Sequence, residues 1–318
     1  MRILVTGGAG FIGSNLVNHL IDAGHMLVVF DNEATGRQAN VQPTVEYIKG
    51  DVAHLAELER AFIERLDAVC HVAGQVSMIR SLTDPVLDLR TNVEGTVNVL
   101  QLCLKHRVPR LLYASSMTAY GRTVTLPTSE DAPCAPISYY GITKYAGERY
   151  VLNTGERRDL DFDFNVTCFR MFSVYGPRQA LDNPYQGVLG IFLGNLLRGE
   201  PVTIFGDGEQ SRDFVYIEDI VDAWAGALTN SNSYGGVFNL GSGRRLTINQ
   251  LADEVLAAFG GNRKEYPVKY APPRSGEQLH VQADIARARG VLGWEPRVSF
   301  EAGLAETVRW ARETMKRS

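Results

Sequence analysis

The stretch RILVTGGAGFIG, residues 2–13, decides the fold of this chain. It opens with a short apolar run, which is typical of a fully buried parallel strand. Four glycines follow this run, namely Gly7, Gly8, Gly10 and Gly13. Apolar residues then recur at helical spacing, at Leu16, Val17, Leu20 and Ile21. A strand, a glycine turn and a helix together predict a dinucleotide-binding unit, because glycines let the backbone approach a pyrophosphate at the helix N-terminus.

A second apolar run, LVVF at residues 27–30, predicts another strand that ends at Asp31. A carboxylate about twenty residues after the glycine turn is placed to bind an adenosine ribose. Asp31 would also repel a 2′-phosphate, which favours NAD over NADP. Arg37 offers a cation for such a phosphate, but we interpret it as a solvated loop residue.

The chain has 318 residues, a hydrophobic fraction of 45% and a formal net charge of −4. This length predicts one large domain or two closely joined domains. The charge gives no basic footprint for nucleic acid, and no apolar run approaches the roughly 20 residues of a membrane span. The cysteines, Cys70, Cys103, Cys134 and Cys168, lack the spacing of a zinc site. We therefore expect no metal, no signal peptide and a reduced, cytoplasmic protein.

Strands alternate with helices in the first half, which predicts an α/β fold with a parallel sheet and helices on both faces. The predicted strands lie near residues 2–6, 26–31, 45–48, 67–72, 110–115 and 164–170. The predicted helices lie near residues 11–23, 54–64, 85–107 and 138–154. After Pro177 we predict helices near 186–199, 216–228, 247–259, 282–291 and 300–316, and strands near 202–205 and 236–240.

Tyr140 and Lys144 put a phenol and an ammonium group on one face of a predicted helix, one turn apart. A tyrosine with a pKa near 10 is a poor base at pH 7, and a nearby cation lowers that pKa. Ser115 and Ser116 end a predicted strand, at the edge where α/β sheets bind ligands. Taken alone, Tyr140 and Lys144 could be an ordinary surface pair, and the two serines could be ordinary turn residues. They indicate a catalytic site only in combination.

In combination these motifs resemble the extended short-chain dehydrogenase/reductases, specifically the NAD-dependent nucleotide-sugar epimerases and dehydratases, and are most similar to UDP-galactose (UDP-glucose) 4-epimerase-like proteins. The resemblance runs from Met1 to about Trp310. It is carried in order by TGGAGFIG at 6–13, Asp31-Asn32, Gly50-Asp51-Val52, HVAGQ at 71–75, Asn92, Ser115-Ser116, Tyr140-xxx-Lys144, Phe169-Arg170 and VYGP at 174–177. It implies a Rossmann-type doubly wound parallel sheet with a smaller α/β substrate-binding domain.

The pattern loosens after Pro177, which predicts a division of the chain, and the resemblance implies an assembly. The NAD-binding domain would comprise residues 1–176, with 215–240 returning to it, and the nucleotide-sugar-binding domain 177–214 and 241–318. A homodimer would form through apolar stripes on the helices near 85–107 and 138–154. The alternative, that these stripes only cover the sheet, stays open.

The resemblance implies a role for each residue that matches a motif of the family. The catalytic residues would be Ser116, which hydrogen-bonds the reacting hydroxyl, Tyr140, which acts as the base, and Lys144, which holds the nicotinamide ribose. The cofactor-binding residues would be Gly7, Gly10, Phe11, Ile12, Gly13, Asp31, Asn32, Asp51, Val52, Ala73, Gly74 and Asn92, together with Tyr140 and Lys144. The substrate-binding residues would be Ser116, Thr118, Ser173, Gly187, Val188, Thr203, Phe205, Arg212, Arg274, Glu277 and Val281, with the two arginines on the diphosphate.

The residues after Ser116 bear on the reaction. The resemblance implies that a 4,6-dehydratase would carry Asp-Glu there and a UDP-glucuronate decarboxylase a Glu, whereas this chain has Met117-Thr118-Ala119. Neither Met nor Ala transfers a proton, and Thr is a poor acid or base near neutral pH. We therefore predict C4 epimerisation through a 4-keto sugar, with NAD retained and unchanged after each turnover.

Two positions bear on the sugar. Ser173 stands where galactose epimerases often carry Asn and is similar to the Thr of UDP-glucuronate 4-epimerases, so UDP-glucuronate stays open as a substrate. Val281 aligns with a position where a large side chain excludes 2-acetamido sugars, so we predict that UDP-GlcNAc and UDP-GalNAc are accepted besides UDP-glucose and UDP-galactose. The alternatives are another nucleotide-sugar oxidoreductase or dehydratase, and a non-enzymatic NAD-binding regulator, which typically loses the tyrosine or the lysine.

Overall fold

The computed structural model describes residues 1–122, 125–181, 187–273 and 278–317. Its strands are β1 (Arg2–Thr6), β2 (Met26–Asp31), β3 (Glu46–Lys49), β4 (Ala68–His71), β5 (Arg110–Ser116), β6 (Asn165–Met171), β7 (Ser173–Tyr175), β8 (Val202–Phe205), β9 (Ser211–Arg212), β10 (Phe214–Tyr216), β11 (Gly236–Leu240), β12 (Leu246–Thr247) and β13 (Val268–Ala271). Seven of them form one sheet in the order β3-β2-β1-β4-β5-β6-β11, with every neighbouring pair parallel. The predicted parallel α/β sheet is confirmed.

The strand order reverses direction at β1, since β2 and β3 lie on one side of it and β4 to β6 on the other. In open α/β sheets, ligands bind outside the carboxyl ends of the strands at such a switch point. Alternate β1 residues face opposite layers: Ile3 and Val5 join one apolar core, whereas Leu4 joins the other. An apolar core therefore covers each face of the sheet, which leaves the carboxyl ends of its strands for binding a ligand.

The helices that cover the sheet and the second half are α1 (Phe11–Asp22), α2 (Leu55–Glu59), α3 (Met78–Thr83), α4 (Pro85–Leu89), α5 (Gly95–Lys105), α6 (Tyr139–Gly155), α7 (Val188–Leu197), α8 (Ile217–Ala227), α9 (Ile248–Ala258) and α10 (Phe300–Arg317). The helix predicted near 247–259 is confirmed as α9, and it begins with a capping box in which the side chains of Thr247 and Gln250 each accept from the backbone N–H of the other.

Two helix predictions need correction. The helix predicted near 85–107 is interrupted by a π-helical segment, Arg90–Glu94, between α4 and α5. The helix predicted near 282–291 is wrong in its first half, because Ala283 forms a β-bridge with Thr128, and a π-helical segment follows only at Ala288–Leu292. Helix α3 was not predicted.

Three two-stranded sheets accompany the main sheet: β7 with β10, β8 with β13, and β9 with β12. Strand β11 extends the main sheet beyond β6, and helix α8 packs on α1. Within the described ranges, no helix has the length and apolar character needed to cross a membrane. Nor do three metal-ligating side chains cluster anywhere in that part of the chain.

Candidate active site

Backbone atoms pack closely against the glycine turn between β1 and α1. Gly7 has a φ of +70°, and a Cβ atom there would lie 2.7 Å from the backbone of Ala73. A Cβ atom on Gly13 would lie 2.0 Å from the carbonyl oxygen of Gly7. The N-cap of α1 is Gly10, which has no side chain to bond the N–H groups of Phe11, Ile12 and Gly13 in the first turn. This cradle of bare backbone fits a pyrophosphate.

Asp31 lies at the carboxyl end of β2, next to this turn. Its carboxylate accepts hydrogen bonds from the N–H of Ala9 at 2.9 Å and of Glu33 at 2.7 Å. Burial raises the pKa of Asp31, and these two N–H groups oppose that rise. Asn32 donates to Asp51 at 2.8 Å, so the three predicted ribose and adenine residues lie together. An open cleft of about 490 Å³ adjoins them, lined by Asn32, Lys49, Gly50, Asp51, His54, Glu57 and Arg60.

Val52, predicted beside adenine, is nearly fully buried against α5. Its carbonyl oxygen accepts from Asn98 at 2.9 Å, and its side chain would lie 2.5 Å from a Cβ atom on Gly95. Most of its surface therefore packs inside the protein, whereas Asp51 lines the open cleft.

The three predicted catalytic residues come together from β5 and α6. Ser116 ends β5, and α6 begins at Tyr139, with Ser138 as an N-cap that accepts from the N–H of Gly141 at 3.1 Å. The hydroxyl of Ser116 lies near enough to that of Tyr140 to lower its pKa. The N–H and the hydroxyl of Thr118 lie 3.2 Å and 2.9 Å from Ser116 Oγ. Because Thr118 donates to Ser116 Oγ, the hydroxyl proton of Ser116 is available for donation toward Tyr140.

The pKa values of the catalytic pair differ from the sequence-based expectation. Burial raises the pKa of Tyr140 to about 12, against a smaller lowering by the nearby hydroxyl of Ser116. Lys144 is 4% exposed, with its Nζ 4.6 Å from the centroid of the Tyr113 ring, and burial lowers its pKa to about 8. In the protein alone the pKa of Tyr140 is raised and not lowered, because desolvation of the phenol outweighs the groups that lower it.

Asn92 joins the loop after β4 to this pair. Its Oδ1 accepts from the N–H of Gln75 at 2.9 Å and would lie 3.0 Å from a Cβ atom on Gly74. That same Cβ atom would lie 3.5 Å from Nζ of Lys144, so Ala73, Gly74, Asn92 and Lys144 line one wall. A π-helical segment, which is frequent at functional sites, presents Asn92 here.

Sequence reasoning missed two polar residues of this wall, Asp88 and Thr143. Both are buried, and they share a hydrogen bond of 2.7 Å. One signal was available: Asp88 precedes Asn92 by four residues, a spacing that places both on one helix face.

The predicted substrate residues lie on the small sheets and α7. Ser173, on β7, donates its N–H to Asp213 at 2.9 Å. The N–H of Val281 donates to Ser211 at 3.2 Å, which places Val281 beside Arg212 on β9. Thr203 and Phe205 lie on β8, and Gly187 caps α7, whose first residue is Val188 and which packs on β8. Arg274 and Glu277 lie outside the described residues.

The family model for the NAD-dependent epimerase/dehydratase family matches residues 3–241. The chain belongs to this family. It is 37% identical to UDP-glucose 4-epimerase of Mycolicibacterium smegmatis, over 98% of this chain and 99% of that one.

Two solved structures of the family have closely similar folds. The structure of Thermotoga maritima UDP-glucose 4-epimerase with UDP-glucose has a TM-score of 0.92 and 38% identity, covering 99% of this chain and 100% of that one. UDP-N-acetylglucosamine 4-epimerase of Methanobrevibacter ruminantium, in complex with UDP-N-acetylmuramic acid, has a TM-score of 0.90 and 31% identity, covering 99% of both chains.

Proposed function

We propose that this chain is a NAD-dependent nucleotide-sugar 4-epimerase. Its substrates are UDP-glucose and UDP-galactose or UDP-GlcNAc and UDP-GalNAc, interconverted through a 4-keto sugar. The observation that carries the proposal is that Ser116, Tyr140 and Lys144 come together from β5 and α6, and that the turn after Ser116, Met117–Ala119, has no carboxylate. The relatives named UDP-glucose 4-epimerase support it.

In this reaction Tyr140 removes the proton from the sugar O4, and Ser116 hydrogen-bonds that oxygen. When bound, NAD supplies the acceptor for the C4 hydride and a positive charge near the phenol. That charge matters because a phenol with a pKa of about 12 is almost wholly protonated at pH 7. Lys144, with a pKa of about 8, is still mostly an ammonium group there and suits a contact with ribose hydroxyls.

The cradle of Gly7, Gly10 and Gly13 holds the pyrophosphate of the cofactor in this proposal. Asp31 and Asn32 bind the adenosine ribose, and the cleft beside Asp51 takes adenine. A 2′-phosphate next to the Asp31 carboxylate would meet like charge, so the proposal names NAD rather than NADP.

Elimination and decarboxylation are disfavoured by the chemistry after Ser116. A dehydratase needs an acid and a base to expel water, yet Met117 and Ala119 exchange no proton. The Thr118 hydroxyl lies within hydrogen-bond distance of Ser116, where it orients the serine. The 4-keto sugar is therefore left with the return of hydride, and return to its other face gives the C4 epimer.

UDP-glucuronate is the second candidate substrate, again for C4 epimerisation. The observation that favours it is Ser173, a small hydroxyl residue that is partly exposed on β7, beside the strand that follows Arg212. A hydroxyl group donates to a C6 carboxylate more readily than an apolar side chain does.

The test is proton NMR of the purified protein with UDP-glucose, UDP-GlcNAc and UDP-glucuronate in separate tubes, without added cofactor. We expect the C4 epimer in at least one tube, which would show both the reaction and a retained NAD. Tyr140→Phe should abolish it, whereas the matched control Tyr139→Phe, at a 49% exposed neighbour, should not. A keto or reduced product that requires added NAD or NADPH would overturn the epimerase proposal.

We further propose a homodimer that buries an apolar face on α3, α4 and α6. This face carries the exposed side chains Met78, Ile79, Leu82, Val86, Leu89, Ile142 and Tyr150. Contiguous apolar surface of this kind is typical of a protein interface. The two-domain division given above and a cytoplasmic location belong to the same proposal, the latter supported by four free cysteines.

A further inference from the structure

Asp88 is a fully buried carboxylate to which the reaction above gives no task. It lies on α4 with 0% of its surface exposed. Thr143 Oγ1 donates to its Oδ2 at 2.7 Å, and its Oδ1 accepts from Gln75 Nε2 at 2.7 Å and Asn92 Nδ2 at 3.1 Å. All three partners act as donors, so the ionised, acceptor-only form of Asp88 satisfies them, whereas a protonated one would need an acceptor.

These bonds join three segments of the wall that faces the cofactor site. Gln75 follows β4, Asn92 lies in the π-helical segment, and Thr143 lies on α6 between Tyr140 and Lys144. Asn92 Nδ2 also donates to Thr143 Oγ1 at 3.1 Å. The carboxylate of Asp88 is therefore the acceptor that these three segments share. Through Thr143 it holds the turn of α6 that carries Tyr140 and Lys144.

The charge of Asp88 acts on both members of that pair. It raises the pKa of Lys144 against the lowering by burial, and it raises the pKa of Tyr140 further. In return, Lys144 lowers the pKa of Asp88, which burial raises. Asp88 and Lys144 thus each favour the charged form of the other inside the protein.

The other groups around Lys144 offer less compensation. They are His71 on β4, the Tyr113 ring on β5, Cys168 on β6, and Tyr140 and Glu148 on its own helix. Burial keeps the pKa of His71 near 3, and that of Cys168 well above its usual range, so both are neutral at pH 7. Glu148 is held by Arg170 at 2.6 Å and by Ser115 at 2.6 Å, so its charge is already balanced.

We propose that Asp88 is a positioning residue for the catalytic pair: its buried carboxylate is the acceptor that fixes the turn between Tyr140 and Lys144, and its negative charge supports the ammonium group of Lys144 across this network. The part that concerns Lys144 stands independently of the substrate, and the part that concerns Tyr140 rests on the proposed function. The three neutral partners of Asp88 distinguish it from Glu148, whose partner is an arginine.

The test is a pH titration of the lysine ε-carbons by NMR in protein with ¹³C-labelled lysine, stripped of nucleotide. The chain has six lysines, and Lys144→Arg identifies the signal of interest by its loss. In Asp88→Asn the midpoint of Lys144 should fall by about one pH unit or more. The matched control is Asp219→Asn, a buried carboxylate that bonds the backbone of Arg297 and Val298 away from the site, and it should leave the midpoint unchanged.

Thr143→Val separates charge from position, since it removes a donor and keeps the carboxylate. Its Lys144 midpoint should stay close to that of the wild type, while its kcat falls. In Asp88→Asn both limbs of the pH profile of kcat should move to lower pH, because Tyr140 and Lys144 each lose a neighbouring negative charge. An unchanged Lys144 midpoint in Asp88→Asn overturns the proposal.

The titration keeps this inference separable from the epimerase proposal. If none of the three nucleotide sugars reacts, the proposed function fails, yet the Lys144 midpoints still decide the role of Asp88. Should Asp88→Asn not fold, the wild-type titration is followed to acid pH. A second step in the Lys144 signal as Asp88 takes up its proton is then expected, and a single-step curve overturns the proposal.

Discussion

Gly13→Ala tests the glycine cradle most directly. A Cβ atom at Gly13 would lie 2.0 Å from the carbonyl oxygen of Gly7, and 2.8 Å from both the carbonyl carbon of Gly7 and the Cα of Gly8. All three atoms are backbone, so no side chain can rotate away. Relief of the closest contact needs a movement of about 1 Å, since Cβ atoms essentially never approach other atoms closer than 3.0 Å.

The turn resists such a movement because hydrogen bonds tie it to the sheet. The N–H of Gly7 bonds the carbonyl of Phe30 at 2.8 Å, and that of Ala9 bonds Asp31 at 2.9 Å. Overpacking of this kind typically costs about 1–3 kcal/mol. With roughly 2–4 °C per kcal/mol for a chain of this size, we expect the melting temperature to fall by about 5 °C. Displacement of the first-turn N–H groups should weaken NAD binding at least about tenfold, or 1.4 kcal/mol.

Gly226→Ala is the matched control, at an exposed position in α8 where an added Cβ atom meets nothing within 4 Å. Here alanine should stabilise the protein by about 0.5–1 kcal/mol and leave NAD affinity unchanged. Thermal unfolding by circular dichroism and calorimetric titration of NAD into nucleotide-free protein measure both effects. A Gly13→Ala protein that melts and binds NAD like the wild type would refute the reasoning.

Four further predictions address the substrate, the assembly and stability. Val281→Tyr should lower kcat/KM for UDP-GlcNAc more than for UDP-glucose, and an equal loss on both would contradict the steric account. Arg212→Leu should raise KM for the nucleotide sugar about tenfold or more without weakening NAD binding, measured by steady-state kinetics and calorimetry. Leu89→Arg should convert the proposed dimer to a monomer in light scattering, whereas a wild-type monomer would exclude the proposed interface. Burial lowers the pKa of His71 from 6.5 to about 3, so as the pH falls the unfolded chain takes up this proton before the folded protein does. The free energy of unfolding should therefore drop by about 1.4 kcal/mol per pH unit between about pH 6.5 and pH 3. His71→Gln should flatten this slope in chemical unfolding.

Much of the fold could be predicted because its signals are local. Strand β1 and helix α1 were predicted to within one residue, since an apolar run, clustered glycines and helical spacing lie within 21 residues. The parallel sheet followed from the alternation of such units. Helix α9 was equally predictable, because its capping box lies within four residues.

The remainder depends on contacts that sequence spacing does not show. The π-helical segment at Arg90–Glu94 interrupts an apolar pattern that fits one long helix, and it holds Asn92 against Gln75 from another segment. Residues near Ala283 have a helical composition, but they pair with Thr128, which lies more than 150 residues earlier in the chain. Long-range pairing overrides local preference in both places.

The site shows the same division between residue identity and environment. The sequence was enough to single out Tyr140, Lys144 and Ser116, but the pKa of Tyr140 depends on the surface that covers it. In the protein alone, desolvation and the charge of Asp88 raise that pKa, and the nearby hydroxyl of Ser116 lowers it by less.

The opposed effects on Tyr140 and Lys144 have a functional consequence. At pH 7 a phenol with a pKa of about 12 and an ammonium group with a pKa of about 8 are both protonated, so neither is a base. Asp88 raises both pKa values, so it favours the ammonium form of Lys144 and makes the phenolate form of Tyr140 scarcer at pH 7. Such a site gains a phenolate only when further positive charge enters it, and the proposed cofactor brings that charge in its oxidised form. Proton removal from the sugar is thereby coupled to the redox state in which hydride can be accepted.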